Sequence, residues 1–308
     1  RTITASGHRV LESLAKRILT LLELVDLLLQ IIADALDARE RLFVDELVFV
    51  TLCRIYCHHD FHDRTCMSRM TQTVVIAGVG PGLGASLARK FAAEGCQVAL
   101  FARSADYIEE LAEELPEPGE GLAVQTDLTG VEQIQDGFAA VREAFGTVDV
   151  LVNHASAASW KGLMDVSVEE FEQAWAVNGR GAFVCSQEAV SDMLENGGGT
   201  VIFTGATSAV RSLGGAIGFT AAKFAARGMA MDIAQEFGPE GVHVAHVVID
   251  GQIDTPGVHD RFPDREDETF LDPDEMAETY WHLVEQDDVS TQPFEVHITN
   301  GPQNSEFI

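Results

Sequence analysis

From Val74 to Gly84 the chain reads Val-Val-Ile-Ala-Gly-Val-Gly-Pro-Gly-Leu-Gly, an apolar run that ends abruptly in a loop of four alternating glycines. Val and Ile favour a pleated strand, and the residues from Ala85 to Glu94 carry apolar side chains at helical spacing. A strand that turns through glycines directly into a helix constrains the fold more than any other feature of the chain. The glycines let the backbone come close to a pyrophosphate, which then rests on the unsatisfied amides of the helix N-terminus. Gly78, Gly80, Gly82, Leu83 and Gly84 are therefore candidate contacts to a dinucleotide.

Downstream the same rhythm continues, with short apolar runs alternating with longer helical stretches. Strands are expected over Val74–Ala77, Gln97–Phe101, Leu122–Gln125, Val148–Val152, Thr200–Phe203, Val242–Val248 and Phe294–Ile298. Helices are expected between them, among others over Leu83–Glu94, Val131–Phe145, Val168–Val190 and Phe219–Phe237. The fold class that follows is α/β in three layers, a doubly wound, seven-stranded parallel sheet of the Rossmann type, occupying residues 67–308.

Residues 1–66 differ in kind. They open with a leucine-rich amphipathic pattern from Leu11 to Ile32, read as a helical N-terminal extension, and end in a run dense in Cys and His from Cys53 to Cys66. Thiolates and imidazoles suit zinc, but this spacing matches no finger pattern, so no metal is expected. Met67 and Met70 stand just before the first strand, so the extension is expected to be either a leader upstream of the functional protein or a poorly ordered appendage. The apolar stretch from Ile18 to Ala33 is interrupted by Glu23 and Asp26, leaving a run far below the roughly 20 residues a bilayer needs.

Charge changes at the same boundary. Residues 1–66 hold 8 basic and 10 acidic side chains, whereas 67–308 hold 12 and 39, giving most of the net charge of −29. Such a surface repels nucleic acid and anionic membranes. Only three lysines, Lys90, Lys161 and Lys223, follow position 66, a bias suited to a halophilic protein working where salt screens self-repulsion. Five cysteines without a regular framework point to a reducing, cytoplasmic compartment.

The loop spacing Gly-x-x-x-Gly-x-Gly resembles that of the short-chain dehydrogenase/reductase superfamily, and further motifs follow in that family's order over about residues 71–300. Asp127-Leu128 stands where the family's Asp contacts the adenine. Asn153-His154-Ala155-Ser156 occupies the place of its Asn-Asn-Ala-Gly motif, and Asn178 that of its catalytic asparagine. Asp250-Gly251-Gln-Ile253-Asp-Thr255 matches the Pro-Gly-x-Ile-x-Thr segment that grips the nicotinamide, with Asp250 in place of Pro. At the end of the second strand a carboxylate serves NAD, and an arginine suits the 2′-phosphate of NADP. Here Ala102-Arg103-Ser104 stands at that point, so NADP(H) is the expected cofactor and NAD(H) the alternative.

The resemblance also implies a Tyr-x-x-x-Lys pair, in which tyrosine passes a proton to or from the substrate and lysine holds the nicotinamide ribose. This chain has Phe219-Thr-Ala-Ala-Lys223, with the lysine present and the phenol oxygen absent. The family's serine falls at Ala206 or Thr207. Thr207 is expected to orient a substrate carbonyl, its alternative role being a hydrogen bond to loop backbone. Asn178 is expected to hold a water relay. Losing a positioned general acid costs about 10²–10⁴ in rate, so two functions stay open. One is NADP(H)-dependent hydride transfer to or from a carbonyl or activated C=C bond of a small molecule, by a homodimer or homotetramer associating near Val168–Val190 and Phe219–Phe237. The other is a non-catalytic NADP(H)-binding sensor or scaffold. Gly257–Leu271 is expected to cover the site and Trp160 to line it.

Overall fold

The computed structural model describes residues 71–300, apart from 213, 262, 264–269 and 287–289. The N-terminal extension and its Cys/His run lie outside these residues, as does part of Gly257–Leu271.

Seven parallel strands form the central sheet: β1 (Thr73–Ala77), β2 (Gln97–Ala102), β3 (Glu120–Gln125), β4 (Val150–Asn153), β5 (Gly199–Thr204), β6 (Val242–Asp250) and, last in the chain, β9 (Glu295–Thr299). Their order is β3-β2-β1-β4-β5-β6-β9, so the winding reverses between β1 and β4, and open α/β sheets bind ligands beyond the strand ends at that switch. Ala77, the last residue of β1, pairs with Phe101 on one side and Asn153 on the other, which fixes the floor of the crevice.

Strand alternation decides which helix meets which face. Val74 and Ile76 point to the layer that holds α1 (Leu83–Ala93) and α8 (Pro273–Glu285), where Phe91 packs edge-on against Trp281 with ring centroids 5.7 Å apart. Val75 and Ala77 point to the opposite layer, built from α3 (Val131–Phe145), α5 (Ala182–Asn196) and α6 (Ile217–Phe237) around Phe138 and Met193. Burial on both faces explains why the inner strands, β1 among them, read as continuous apolar runs.

The expected helix over Val168–Val190 is not continuous. It divides into α4 (Val168–Trp175), a wide π turn over Ala176–Gly181, and α5, and the π turn brings Asn178 and the close-packed Gly181 into the interior. A helix α2 (Ala105–Glu113) and a small two-stranded sheet of β7 (Gln252–Ile253) and β8 (Phe270–Leu271) complete the surroundings of the site, with a short α7 (Val258–Arg261) between the last two. Among the described residues no helix is long and apolar enough to cross a membrane.

Candidate functional site

The carboxyl ends of the strands open on a cleft of about 810 Å³, bounded by the loops after β1, β4, β5 and β6. Gly78 and Gly82 have φ of 105° and 118°, a region L side chains rarely adopt. A Cβ at Gly78 would collide with the backbone of Ala155, and one at Gly82 would lie 2.6 Å from the Thr255 methyl. Gly80 has nothing within 4 Å of its missing Cβ, so the middle of the loop opens on the cleft. No side chain caps α1 and its first turn holds no acid, which suits an anion at its N-terminus. Leu83 and Gly84 sit behind this surface: Leu83 is buried in the core, and Gly84 packs on the backbone of Val79.

Arg103, Asp127, Leu128, Ala155, Thr207, Phe219, Lys223, Gly251, Ile253 and Thr255 all line the same cleft, although they come from loops and elements far apart in the chain. Ser104 does not; it stands at the N-cap of α2 without a capping bond. Asp127 Oδ1 accepts from the amide and the hydroxyl of Thr129, at 2.9 and 2.8 Å, and these bonds hold its carboxyl below the usual range. It therefore both shapes the turn and faces the cleft.

Lys223 is the most constrained charged group of the site. It is 4% exposed, and its Nζ donates to the Thr204 carbonyl at 2.8 Å and lies 5.7 Å from the Phe219 ring centroid. An ammonium has three donors, and Thr204 is its one hydrogen-bond acceptor among the described residues. Burial pushes its pKa down to about 8. Phe219 stacks at a tilt against Trp160, centroids 5.4 Å apart, and Trp160 is 72% exposed at the cleft wall.

Asn153 and Asn178 line a much smaller void behind the cleft, shared with Thr204 and Lys223. Asn153 Nδ2 donates to Ser186 Oγ at 3.1 Å, while its Oδ1 is buried without a partner among the described residues. The Asn178 amide donates to the carbonyls of Ala157 at 2.7 Å and Ala174 at 2.8 Å, so this side chain ties the loop after β4 to the end of α4.

Further side chains beside the cleft make contacts that the sequence did not announce. Thr207 lines the cleft, and its Oγ1 donates not to loop backbone but to Asp250 Oδ1 at 2.6 Å, while Arg211 donates to Asp250 Oδ2 at 2.9 Å. The substitution of Asp for Pro at 250 thus makes a side-chain network across two loops, and the sequence signal for it was that single substitution. Tyr280 is fully buried under the sheet, where its hydroxyl shares a 2.9 Å bond with Thr204 Oγ1 and burial raises its pKa. His154 bonds the same Oγ1 at 3.3 Å, and burial lowers its pKa to about 4, so it stands neutral beneath the glycine loop. Tyr107 packs against the core and does not line the cleft.

Residues 72–266 match the family model described as short chain dehydrogenase. The 3-oxoacyl-(acyl-carrier-protein) reductase MabA of Mycobacterium tuberculosis is 32% identical over 186 residues, 60% of this chain and 71% of that protein. D-threitol dehydrogenase of Mycolicibacterium smegmatis is 29% identical over 174 residues, 56% of this chain and 67% of that one. Among solved structures, an alcohol dehydrogenase from the archaeon Thermococcus sibiricus, complexed with 5-hydroxy-NADP, is similar with a TM-score of 0.69 and 26% identity, covering 77% of this chain and 100% of that one.

Proposed function

The chain belongs to the short-chain dehydrogenase family of oxidoreductases, and on that premise we propose that it transfers hydride between NADP(H) and a small-molecule substrate, at a carbonyl carbon or an activated C=C bond. The observation that carries this reading is the buried Lys223, whose ammonium has one acceptor among the described residues and faces a cleft floored by the open glycine loop. When bound, the nicotinamide supplies or takes up the hydride.

The chain's own residues do the rest. The loop from Gly78 to Gly84 and the uncapped start of α1 hold the pyrophosphate. Arg103 meets the 2′-phosphate, Asp127 the adenine, and Gly251, Ile253 and Thr255 the nicotinamide edge. Lys223 donates to the ribose hydroxyls, while Asn178 keeps the loop after β4 in register with it. Phe219 and Trp160 give the cleft an apolar wall beside Lys223. NADPH is preferred because no acid stands where a 2′-hydroxyl would be bonded.

The protein works as a homo-oligomer in a salty cytoplasm. Large apolar side chains left partly exposed on three helices, Trp175, Phe183, Phe224 and Met231, supply the contact between copies, and the acidic surface supplies solubility in salt. The test is calorimetry with NADPH and NADH at high salt, followed by a screen for substrate-dependent change in NADPH absorbance with ketones, alcohols and enoyl compounds. The expected result is binding, tighter for NADPH, and turnover of some member of the panel. Folded protein that gives no heat with either nucleotide overturns the proposal, and tight binding with no turnover assigns the chain to a sensing or scaffolding role.

A further inference from the structure

We infer that Asp250, acting through the hydroxyl of Thr207, takes the proton that a substrate alcohol releases on oxidation, in place of the phenol the chain lacks at Phe219. This rests on the oxidoreductase reading above and gives it a direction and a substrate class, a hydroxyl compound.

Three departures from the family's pattern fall on one cleft: Ala206, one of the two positions at which the family's serine falls, has no oxygen, Phe219 lacks the phenol oxygen, and Asp250 has a carboxylate where Pro is usual. The fold joins the gain to the losses. Thr207 lines the cleft next to Ala206, and its Oγ1 lies 2.6 Å from Asp250 Oδ1 although the two residues are 43 positions apart. That length belongs to the short, strong class of bond between a hydroxyl and a carboxylate.

A hydroxyl has one proton and two lone pairs. With the proton committed to Asp250, Thr207 presents the cleft with lone pairs alone. It accepts a hydrogen bond from a substrate O–H and repels a bare carbonyl oxygen, the reverse of the role that its position predicts. Arg211 Nη2, 2.9 Å from Asp250 Oδ2, fixes the second oxygen and so aims the first at Thr207. Asp250 sits between Ile249 and Gly251, both on the cleft wall, and its side chain is 21% exposed.

The step balances with an oxidised nicotinamide as hydride acceptor. The substrate C–H bond breaks with its electron pair going to the nicotinamide, and the C–O bond becomes C=O. The substrate's hydroxyl proton passes to Thr207 Oγ1 as the proton already there passes to Asp250 Oδ1. Asp250 ends the step as a carboxylic acid and returns its proton to water through its exposed edge.

The experiment pairs Asp250→Asn and Thr207→Val with Phe219→Tyr, singly and combined. Oxidation of a panel of secondary alcohols by NADP+ is followed, and the NADP+ complex is titrated with an unreactive hydroxyl compound and its ketone counterpart. The expected result is a loss of kcat of about 100-fold in Asp250→Asn and in Thr207→Val with KM little changed, restored by adding Phe219→Tyr, which supplies a phenol of its own. The unmodified complex is expected to bind the hydroxyl compound about tenfold tighter than the ketone, a preference that both variants lose. A network that only braces the loop gives a different pattern, with no hydroxyl preference and a loss that Phe219→Tyr leaves unrestored in folded protein; either result overturns the inference. NADPH affinity is measured in parallel: if the unmodified protein binds no nicotinamide, the oxidoreductase reading falls and this inference with it, whereas normal affinity with unchanged kcat in Asp250→Asn overturns this inference alone.

Discussion

The loops that leave β1 and β5 face one another across a single cleft, yet they have kept very different shares of their family's chemistry. On the β1 side, positive-φ glycines, an uncapped helix start and a close contact to Ala155 are all in place. On the β5 side, phenylalanine stands where a phenol is expected, the serine's place falls at Ala206 or Thr207, and a carboxylate has entered from the end of β6. The side that grips a cofactor works through backbone geometry, which tolerates little change. A proton-handling side, as proposed for Thr207 and Asp250, needs only an oxygen at the right place, and that oxygen can come from a different strand.

Substitution at the two loops measures this contrast. Gly78→Val puts a branched side chain at φ 105° against the Ala155 backbone, so a cost on the order of 3 kcal/mol is expected in urea unfolding, together with loss of NADPH binding. Ala206→Ser, across the cleft, is expected to shift stability by less than about 0.5 kcal/mol. Equal effects at the two positions would erase the distinction.

Lys223 joins the two sides, and Lys223→Met is expected to weaken NADPH binding by about 10- to 100-fold in a calorimetric titration. Because burial lowers its pKa to about 8, NADPH affinity of the unmodified protein should fall as pH rises through that value and the ammonium loses its proton, a step absent from Lys223→Met. Stability should move the other way. Between about pH 8 and the ordinary lysine value of 10.5 the unfolded chain holds more protons than the folded one, so the folded state gains stability as pH rises. The smallest effect on nucleotide binding is expected at the rim: Arg103→Ala should weaken NADPH about tenfold and leave NADH unchanged, as measured by nucleotide fluorescence.

Much of this was legible in the chain itself. The five inner strands of the main sheet could be read because burial on both faces makes each a short apolar block, and the glycine loop because φ above zero demands glycine at Gly78 and Gly82, whereas the half-buried edge strands β3 and β9 showed only through their place in the alternation. The break between α4 and α5 was missed although Asn178-Gly179-Arg180-Gly181 lies within the π turn and two glycines there weaken a helix, because apolar residues at helical spacing continue on both sides of it. Asp250 in place of Pro marked one end of the bond to Thr207, but its partner was not legible, since hydrogen bonds across 43 residues leave no periodicity and only the fold brings β5 and β6 side by side. The small sheet of β7 and β8 escaped for a related reason, two residues per strand being too few to show an alternation.

The π turn also sets the chain length that this part of the molecule will accept. Each residue of a helix advances its neighbours by about 100°, and the wide turn carries one residue more than an ordinary coil. Removing it would swing one flank by over a quarter of a revolution. Either Asn178 would let go of Ala157 and Ala174, or Ser186 would let go of Asn153. A segment partly open to solvent is thereby as intolerant of deletions as the core, because the grips at its two ends agree on only one count of residues.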